Sequence, residues 1–239
     1  IMYTFRDREK IQSMFEAVTG ARMMHNYIRI GGVKNDVPDD FRPRMTALLQ
    51  EIRQGIDEAD KLLSFNEIFL ARTKGISPMD ANTAISYGVS GPTLRASGVP
   101  MDVRKDEPYS VYDRFDFGIP IGDNGDCWDR YYVRVEEMRQ SLRIIDQALE
   151  QMPGGLTITP TRLILRPPQG EVYVRGENPR GEIGVYLVSN GADRPYRVKV
   201  RPPSFCNLMV LRELLKNTYV ADAVVILGSL DIVLGEVDR

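Results

Sequence analysis

The 239-residue chain is 43% hydrophobic and 27% charged, the make-up of a globular protein that buries a sizeable core in one large domain or two small ones. Its 31 Lys and Arg against 33 Asp and Glu leave a net charge of −2, so bulk electrostatics courts neither nucleic acid nor an anionic membrane. Two isolated cysteines (Cys127, Cys206) and one histidine (His25) argue against a disulfide framework and exclude an iron–sulfur, nickel or multi-histidine centre held by this chain alone.

The chain opens Ile-Met-Tyr-Thr-Phe-Arg without a signal-peptide pattern and passes directly into a helix, which reads as a truncated start. Ile11, Met14, Phe15 and Val18 recur in steps of three and four, predicting an amphipathic helix over residues 6–20. The run to Tyr27 is expected to continue it until Gly31-Gly32 stops it. Met45, Leu48, Leu49, Ile52, Ile56, Ala59 and Leu63 define a second, longer helix, and a third, shorter element begins at Asn66. Ser77-Pro78-Met79-Asp80 predicts an N-cap with proline in the first turn of a fourth, through Ile85. Residues 88–123 are rich in Gly, Pro and Tyr without a period, too long for a plain connector, and predict a packed, functional loop.

Tyr131, Val135, Met138, Leu142, Ile145 and Leu149 mark the strongest helix, ended by Pro153-Gly154-Gly155. The period then changes to two. Strands are expected at residues 171–175, 182–189 and 196–201, the last two joined across Asn190-Gly191. Pro202-Pro203 closes the meander, and Leu208, Leu211 and Leu215 predict one more helix. The apolar stretch from Ala221 to Leu234 is broken by Gly228, Ser229 and Asp231 and falls short of the ~20 residues of a membrane span. The fold class is therefore α+β. A mainly helical bundle with the long loop (residues 1–155) is followed by a small antiparallel sheet, a helix and the tail (156–239).

No nucleophile elbow, phosphate loop, zinc-protease or dinucleotide signature is present, so a self-contained enzyme of a familiar class is disfavoured. Longer strings are more specific. Thr19-Gly-Ala-Arg-Met-Met-His-Asn-Tyr-Ile-Arg-Ile-Gly-Gly-Val33 resembles a signature of the D-type subunits of respiratory complex I. So do Ser90-Gly-Pro-Thr-Leu-Arg-Ala-Ser-Gly98, Asp102-Val-Arg-Lys105 with Pro108-Tyr109, Gly170-Glu-Val-Tyr-Val174 and Arg180-Gly-Glu-Ile-Gly184. Arg201-Pro-Pro-Ser-Phe-Cys-Asn-Leu208 and the ending Gly228-Ser-Leu-Asp-Ile-Val-Leu-Gly-Glu-Val-Asp-Arg239 complete the set, in the family's order over nearly the whole chain. The Met-Met-His-Asn-Tyr wording is most similar to the equivalent H-type subunit of the cyanobacterial and chloroplast complex.

The resemblance implies the carboxy-terminal part of a subunit with a hydrogenase large-subunit-like fold that has lost the paired cysteines for nickel and iron. It implies a proton-pumping NAD(P)H- or ferredoxin-quinone oxidoreductase in which this chain walls part of the quinone-reduction chamber. The expected partners are an iron–sulfur (B-type) subunit carrying the cluster and the other complex I subunits. Quinone is the substrate, and no cofactor, metal or flavin is bound by this chain, which would be inactive alone. The expected location is peripheral, on the cytoplasmic side of the inner or plasma membrane, or on the thylakoid.

Three departures accompany it. The family's quinone-headgroup His and Tyr lie in an amino-terminal region absent here. Many respiratory members carry His at the position of Met24, whereas here His25 follows one place later, on a helix face turned by roughly 100°. The stretch between Pro153 and Gly170 is shorter than usual and lacks a helix.

Arg22, His25, Asp231, Val233, Glu236 and Arg239 are the expected chamber or partner-interface residues. Each also has a plainer reading. A lone histidine on a helical stripe is a hydrogen-bonded structural residue, Arg22, Arg95 and Arg104 are salt-bridge partners of carboxylates such as Asp102 and Asp106, and Tyr109, Tyr112 and Tyr131 are packing residues. The tail's plainer reading is a frayed terminus, but Ile232, Val233 and Leu234 are too apolar to fray cheaply, at ~1.5–3 kcal/mol for each side chain buried. The tail is therefore expected to be buried, with a turn bringing Asp231 and Glu236 together under Arg239. A hydrogen-making large subunit and a stand-alone interaction module are the competing classes. A large, partly apolar surface left bare by missing neighbours is the final expectation.

Overall fold

The computed structural model describes residues 2–160 and 164–238. In chain order the helices and strands begin with α1 (Met2–Thr19), β1 (Ile28–Arg29), β2 (Gly32–Val33) and α2 (Phe41–Ala59). α3 (Glu67–Thr73), α4 (Ala81–Ser86), α5 (Pro92–Ala96), α6 (Val103–Asp106) and α7 (Cys127–Gln151) follow. The sheet is β3 (Gly170–Asn178), β4 (Gly181–Ser189) and β5 (Arg197–Arg201), and the chain continues through α8 (Pro203–Met209), α9 (Leu211–Leu214), α10 (Ala223–Leu230) and α11 (Leu234–Val237). The class is α+β, with helices predominating and a small antiparallel sheet late in the chain.

Contacts divide the chain into two units, Ile1–Leu63 with Ser141–Leu165, and Ser64–Gln140 with Arg166–Arg239. In the first unit α1 lies along α2, where Gly55 leaves room for Asp7: a Cβ there would stand 2.0 Å from the Asp7 carboxylate. Lys10 Nζ reaches Glu51 at 2.6 Å, and Arg6 reaches Glu58 at 3.3 Å. α2 buries Leu48, Leu49 and Ile56, the positions its period picks out, and runs on into a π-helical turn at Asp60–Ser64. α1 ends at Thr19, and its expected continuation to Tyr27 does not form. Gly20 turns left-handed at φ +79°, the commonest way a helix is closed, and Met24 repeats the sign at φ +56°. β1 and β2 then pair as a short hairpin, Ile28 opposite Val33.

In the second unit Asn66 caps α3, its side chain accepting from the Ile68 and Phe69 amides. The cap of α4 is Asp80 and not Ser77; Asp80 accepts from the Thr83 amide at 2.9 Å, while Ser77 sits at φ +51° and donates to the Leu214 carbonyl at 2.7 Å. Residues 88–123 are packed and include two short α-helices and a 3-10 turn at Tyr112–Arg114, with Leu94, Ala96, Val103 and Phe117 buried. The core gathers Met79, Ala84, Val89, Leu94 and Cys127 with Val210, Leu214, Ile226 and Leu230. The helix expected around Leu208–Leu215 is two, α8 and α9. α8 starts directly at Pro203, whose missing N–H costs nothing at a first helical position.

The sheet runs β3-β4-β5, antiparallel throughout. β3 and β4 are joined by the two residues Pro179 and Arg180, with Asn178 opposite Gly181. Among the described residues no helix is long and apolar enough to cross a membrane.

Candidate functional site

Three of the motif strings meet at one buried point. Asn207, fully buried in α8, accepts from the Ser90 amide at 3.0 Å and donates to the Arg180 carbonyl at 3.0 Å and the Ser90 carbonyl at 3.4 Å. Ser90 Oγ in turn accepts from the Glu182 amide at 3.1 Å. The backbones cross so closely that a Cβ on Gly91 would stand 2.4 Å from the Gly181 Cα. Gly91, at φ +67°, also leads into α5. This crossing fixes the β3–β4 turn and with it Arg180.

Arg180 points to the tail. Its Nε lies 3.4 Å from the Asp231 carboxylate and donates to the Asp231 carbonyl at 3.3 Å. Arg134, on α7, brings its Nε to 3.7 Å from the same carboxylate oxygen. Asp231 itself is left-handed at φ +52° and ends α10, a place glycine usually takes and Asp tolerates. Glu236 turns elsewhere: its Oε2 accepts from the Ser204 amide at 3.2 Å and from the Ser204 hydroxyl, capping α8, whose own N-cap is Pro202 with no side-chain acceptor. The Val233 amide donates to the same hydroxyl at 3.3 Å, while the Val233 side chain stays 38% exposed. Asp231 and Glu236 are thus bound to different neighbours, and Arg239 lies outside the described residues.

Arg22 and His25 belong to the first unit. Arg22 pairs with Glu9 and, at 3.5 Å, with Glu16; all three side chains are roughly half exposed, so these pairs contribute little. His25 folds back on α1, stacking on Phe15 at 4.6 Å between ring centroids, its Nδ1 3.1 Å from Thr19 Oγ1. The one-residue helical offset from Met24 therefore has no meaning here, because neither residue is helical.

A buried ionic cluster extends the salt bridges expected of Arg95 and Arg104 to two carboxylates the sequence reading missed, Glu137 and Glu177. Arg95 Nε binds Glu137 at 2.5 Å, its Nη1 binds Glu177 at 3.0 Å, and Asp102 stands 3.8 Å away. Arg104 grips Asp102 with two bonds of 2.9 and 2.6 Å. Burial pushes the Asp102 carboxyl up, but Arg104 and Arg95 outweigh it and hold the group below the ordinary aspartate value. For Glu177 burial wins, and its carboxyl is raised. The salt-bridge reading of Arg95 and Arg104 with Asp102 thus describes their contacts, whereas Asp106 accepts from the Asp102 amide at 3.0 Å. The one signal for Arg134 and Glu137 was their spacing: with Arg130 they stand at i, i+4 and i+7, a polar row beside the apolar stripe of α7.

Comparison with known proteins decides the family. The family of the respiratory-chain NADH dehydrogenase 49 Kd subunit matches residues 1–167 and 159–239. The chain belongs to this family. The D-type subunit of the NADH-quinone oxidoreductase of Carboxydothermus hydrogenoformans is 51% identical over 237 residues, covering 99% of this chain and 65% of the relative. A Roseiflexus sp. counterpart is 52% identical over 247 residues, covering 100% and 66%, and the Bacillus mycoides counterpart is 49% identical over 238, covering 99% and 65%. The chain spans about 65% of the length of the curated relatives it matches. Among its described residues no three His, Cys, Asp or Glu side chains stand together as a metal site would require.

Proposed function

We propose that this chain serves in the D-type subunit of an NADH-quinone oxidoreductase, walling part of the quinone-reduction chamber beside a partner that carries the iron–sulfur cluster. The observation that carries the reading is the family match along the whole chain, with relatives near 50% identity named for that reaction. A hydrogenase large-subunit-like ancestry and a peripheral position on the membrane belong to the same reading. Electrons would come from the partner's cluster, and reduction of one quinone to quinol takes two electrons and two protons. This chain contributes no redox centre; its part is to shape the site and supply polar groups to the quinone.

Within the second unit, Val233 would offer apolar surface to the ring, and Asp231 and Glu236 carboxylates near the proton-accepting oxygens. Arg239 is the further cation expected there. Arg22 and His25, on the first unit's surface, would meet the iron–sulfur subunit. In the complete complex, Val233→Met, Asp231→Asn and Glu236→Gln are each expected to change the quinone KM or inhibitor sensitivity without loss of assembly. All three leaving both unchanged in an assembled complex would overturn the chamber reading.

A further inference from the structure

The tail's end of α10 is held by one side chain in an unusual way. The last carbonyls of a helix lack intrahelical partners. Here the Arg134 guanidinium supplies them: Nη1 donates to the Ser229 carbonyl at 2.8 Å, and Nη2 to the Leu230 carbonyl at 3.2 Å and to Thr93 Oγ1 at 3.2 Å. A cation at a helix C-terminus also opposes the partial negative charge there. Nη1 additionally reaches the Arg130 carbonyl within α7, so both terminal nitrogens are committed. The remaining donor, Nε, is sealed from solvent and has no hydrogen-bond partner, although the side chain as a whole keeps 20% of its surface. The nearest opposite charge to it is the Asp231 carboxylate at 3.7 Å. Arg180 holds that carboxylate from a second element and grips the Asp231 carbonyl as well. Its own backbone is pinned by Asn207 and by an Arg180 amide bond of 3.1 Å to Asn178 Oδ1.

Asp231 is also the residue whose conformation needs holding. A left-handed non-glycine residue is strained and persists where its surroundings over-determine it. Two residues on, Val233 leaves the turn tied to Ser204, so any rotation at Asp231 re-aims Val233.

We propose that Arg134 and Arg180 are positioning residues of the tail: together they clamp Asp231 in its left-handed turn and thereby set where Val233 and Glu236 stand. Both arginines act through Asp231 in this arrangement. Its effect on quinone reduction rests on the chamber reading above, but the clamp itself does not.

A double-mutant cycle in the purified, complete complex separates the two. Asp231→Asn keeps the tolerance for a left-handed backbone and removes the charge. Arg134→Lys keeps the charge and removes the fork, and Arg180→Gln changes a partly exposed position that does not carry the core. The first readout is hydrogen exchange of the amides of residues 229–238. Each single variant is expected to speed it by at least roughly fivefold, and each double variant to exchange no faster than its faster parent, because the arginines act through Asp231. The second readout is the split of quinone KM from kcat, with electron transfer to a water-soluble acceptor as the control. For Arg134→Lys and Arg180→Gln, KM and inhibitor IC50 are expected to rise roughly threefold or more, with kcat and the control little changed.

Unchanged exchange in the single variants, or additive effects in the doubles, would overturn the clamp. If Arg134→Lys does not assemble, the Arg180→Gln and Asp231→Asn cycle decides alone by the same criterion. Coupled exchange with KM and IC50 unmoved, in these variants and in Val233→Met, leaves the clamp standing and removes the chamber reading.

Discussion

Arg95 is the residue on which the buried cluster depends. Its guanidinium faces three carboxylates while almost fully buried, and burial alone would lower its basicity; Glu137 and Glu177 reverse that. Arg95→Met would leave Glu137, Glu177 and Asp102 sharing what cation remains. Removing one partner of a buried pair costs about 3–5 kcal/mol, so the chemical-unfolding midpoint should fall by that equivalent or the chain should not accumulate. Asp102 adds a pH dependence with a definite sign. Its carboxyl lies below the ordinary value in the folded chain, so its stabilisation is present above about pH 4 and is lost as pH falls through and below that value. Asp102→Asn should therefore be much less stable than the parent at pH 7, and the gap should narrow on acidification. Glu177, raised by burial and also by the Asp102 charge, works in the opposite direction; Asp102→Asn relieves that repulsion and so trims the gap at pH 7. Urea midpoints of parent and variant at pH 7 and at about pH 2.5, below the unfolded aspartate value, check this; a gap that widens toward acid would contradict it.

At the scale of elements, the crossing of the α5 entrance over the β3–β4 turn sets the position of Arg180. Gly91→Ala would bring a methyl to 2.4 Å from the Gly181 Cα, and backbone has no flexible end to yield. The variant should lose several kcal/mol of stability, or express without assembling, whereas Gly228→Ala, with nothing within 4 Å, should be tolerated. Asn207→Ala strands the Ser90 amide and the Arg180 carbonyl, each at about 1–3 kcal/mol. Thermal melting of the assembled complex ranks the three variants, and the expected order of damage is Gly91→Ala and Asn207→Ala far above Gly228→Ala. Some element boundaries moved from their expected places for local reasons of the same kind. Gly20 closes α1 early through its left-handed φ, and Asp80 outcompetes Ser77 as a cap because Ser77 is turned to Leu214.

Over the whole molecule, apolar side chains remain on the surface in both units. In the first, α1 buries no residue fully, and Met2, Tyr3, Phe5, Met24, Ile28 and Ile30 are exposed. In the second, the exposed set includes Phe65, Ile68, Tyr219, Val220 and Val224, together with Val172, Val174 and Val198 on the sheet. Single exposed apolar residues are ordinary, but runs of them mark surfaces made to be covered. Obligate interfaces bury ~2,000 Å² or more. The chain by itself is therefore expected to self-associate, seen as concentration-dependent mass in light scattering, and co-expression with the proposed iron–sulfur partner should suppress it. A monodisperse monomer without affinity for that subunit would count against the assembly reading.

The sequence alone determined α2, α7 and the three strands, because each announces itself by a hydrophobic period that repeats over a few neighbouring residues. The family strings were legible for the same reason: they are contiguous, and their order needs no fold to be read. The tail's apolar run was legible too, but it is less buried than Ile232, Val233 and Leu234 led one to expect, Leu234 staying 70% exposed, and what holds it was not legible. Arg134 lies 97 residues from Asp231, and Arg180 lies 51 from it, and nothing along the chain marks which arginine meets which carboxylate. Ion pairs of that kind exist only once the helices are packed. The same holds for the left-handed turn at Asp231 and for the cap that Glu236 provides to a helix beginning 33 residues earlier. Hydrophobic periodicity is a local property of the chain, whereas pairing of buried charges is settled by which surfaces the core brings together.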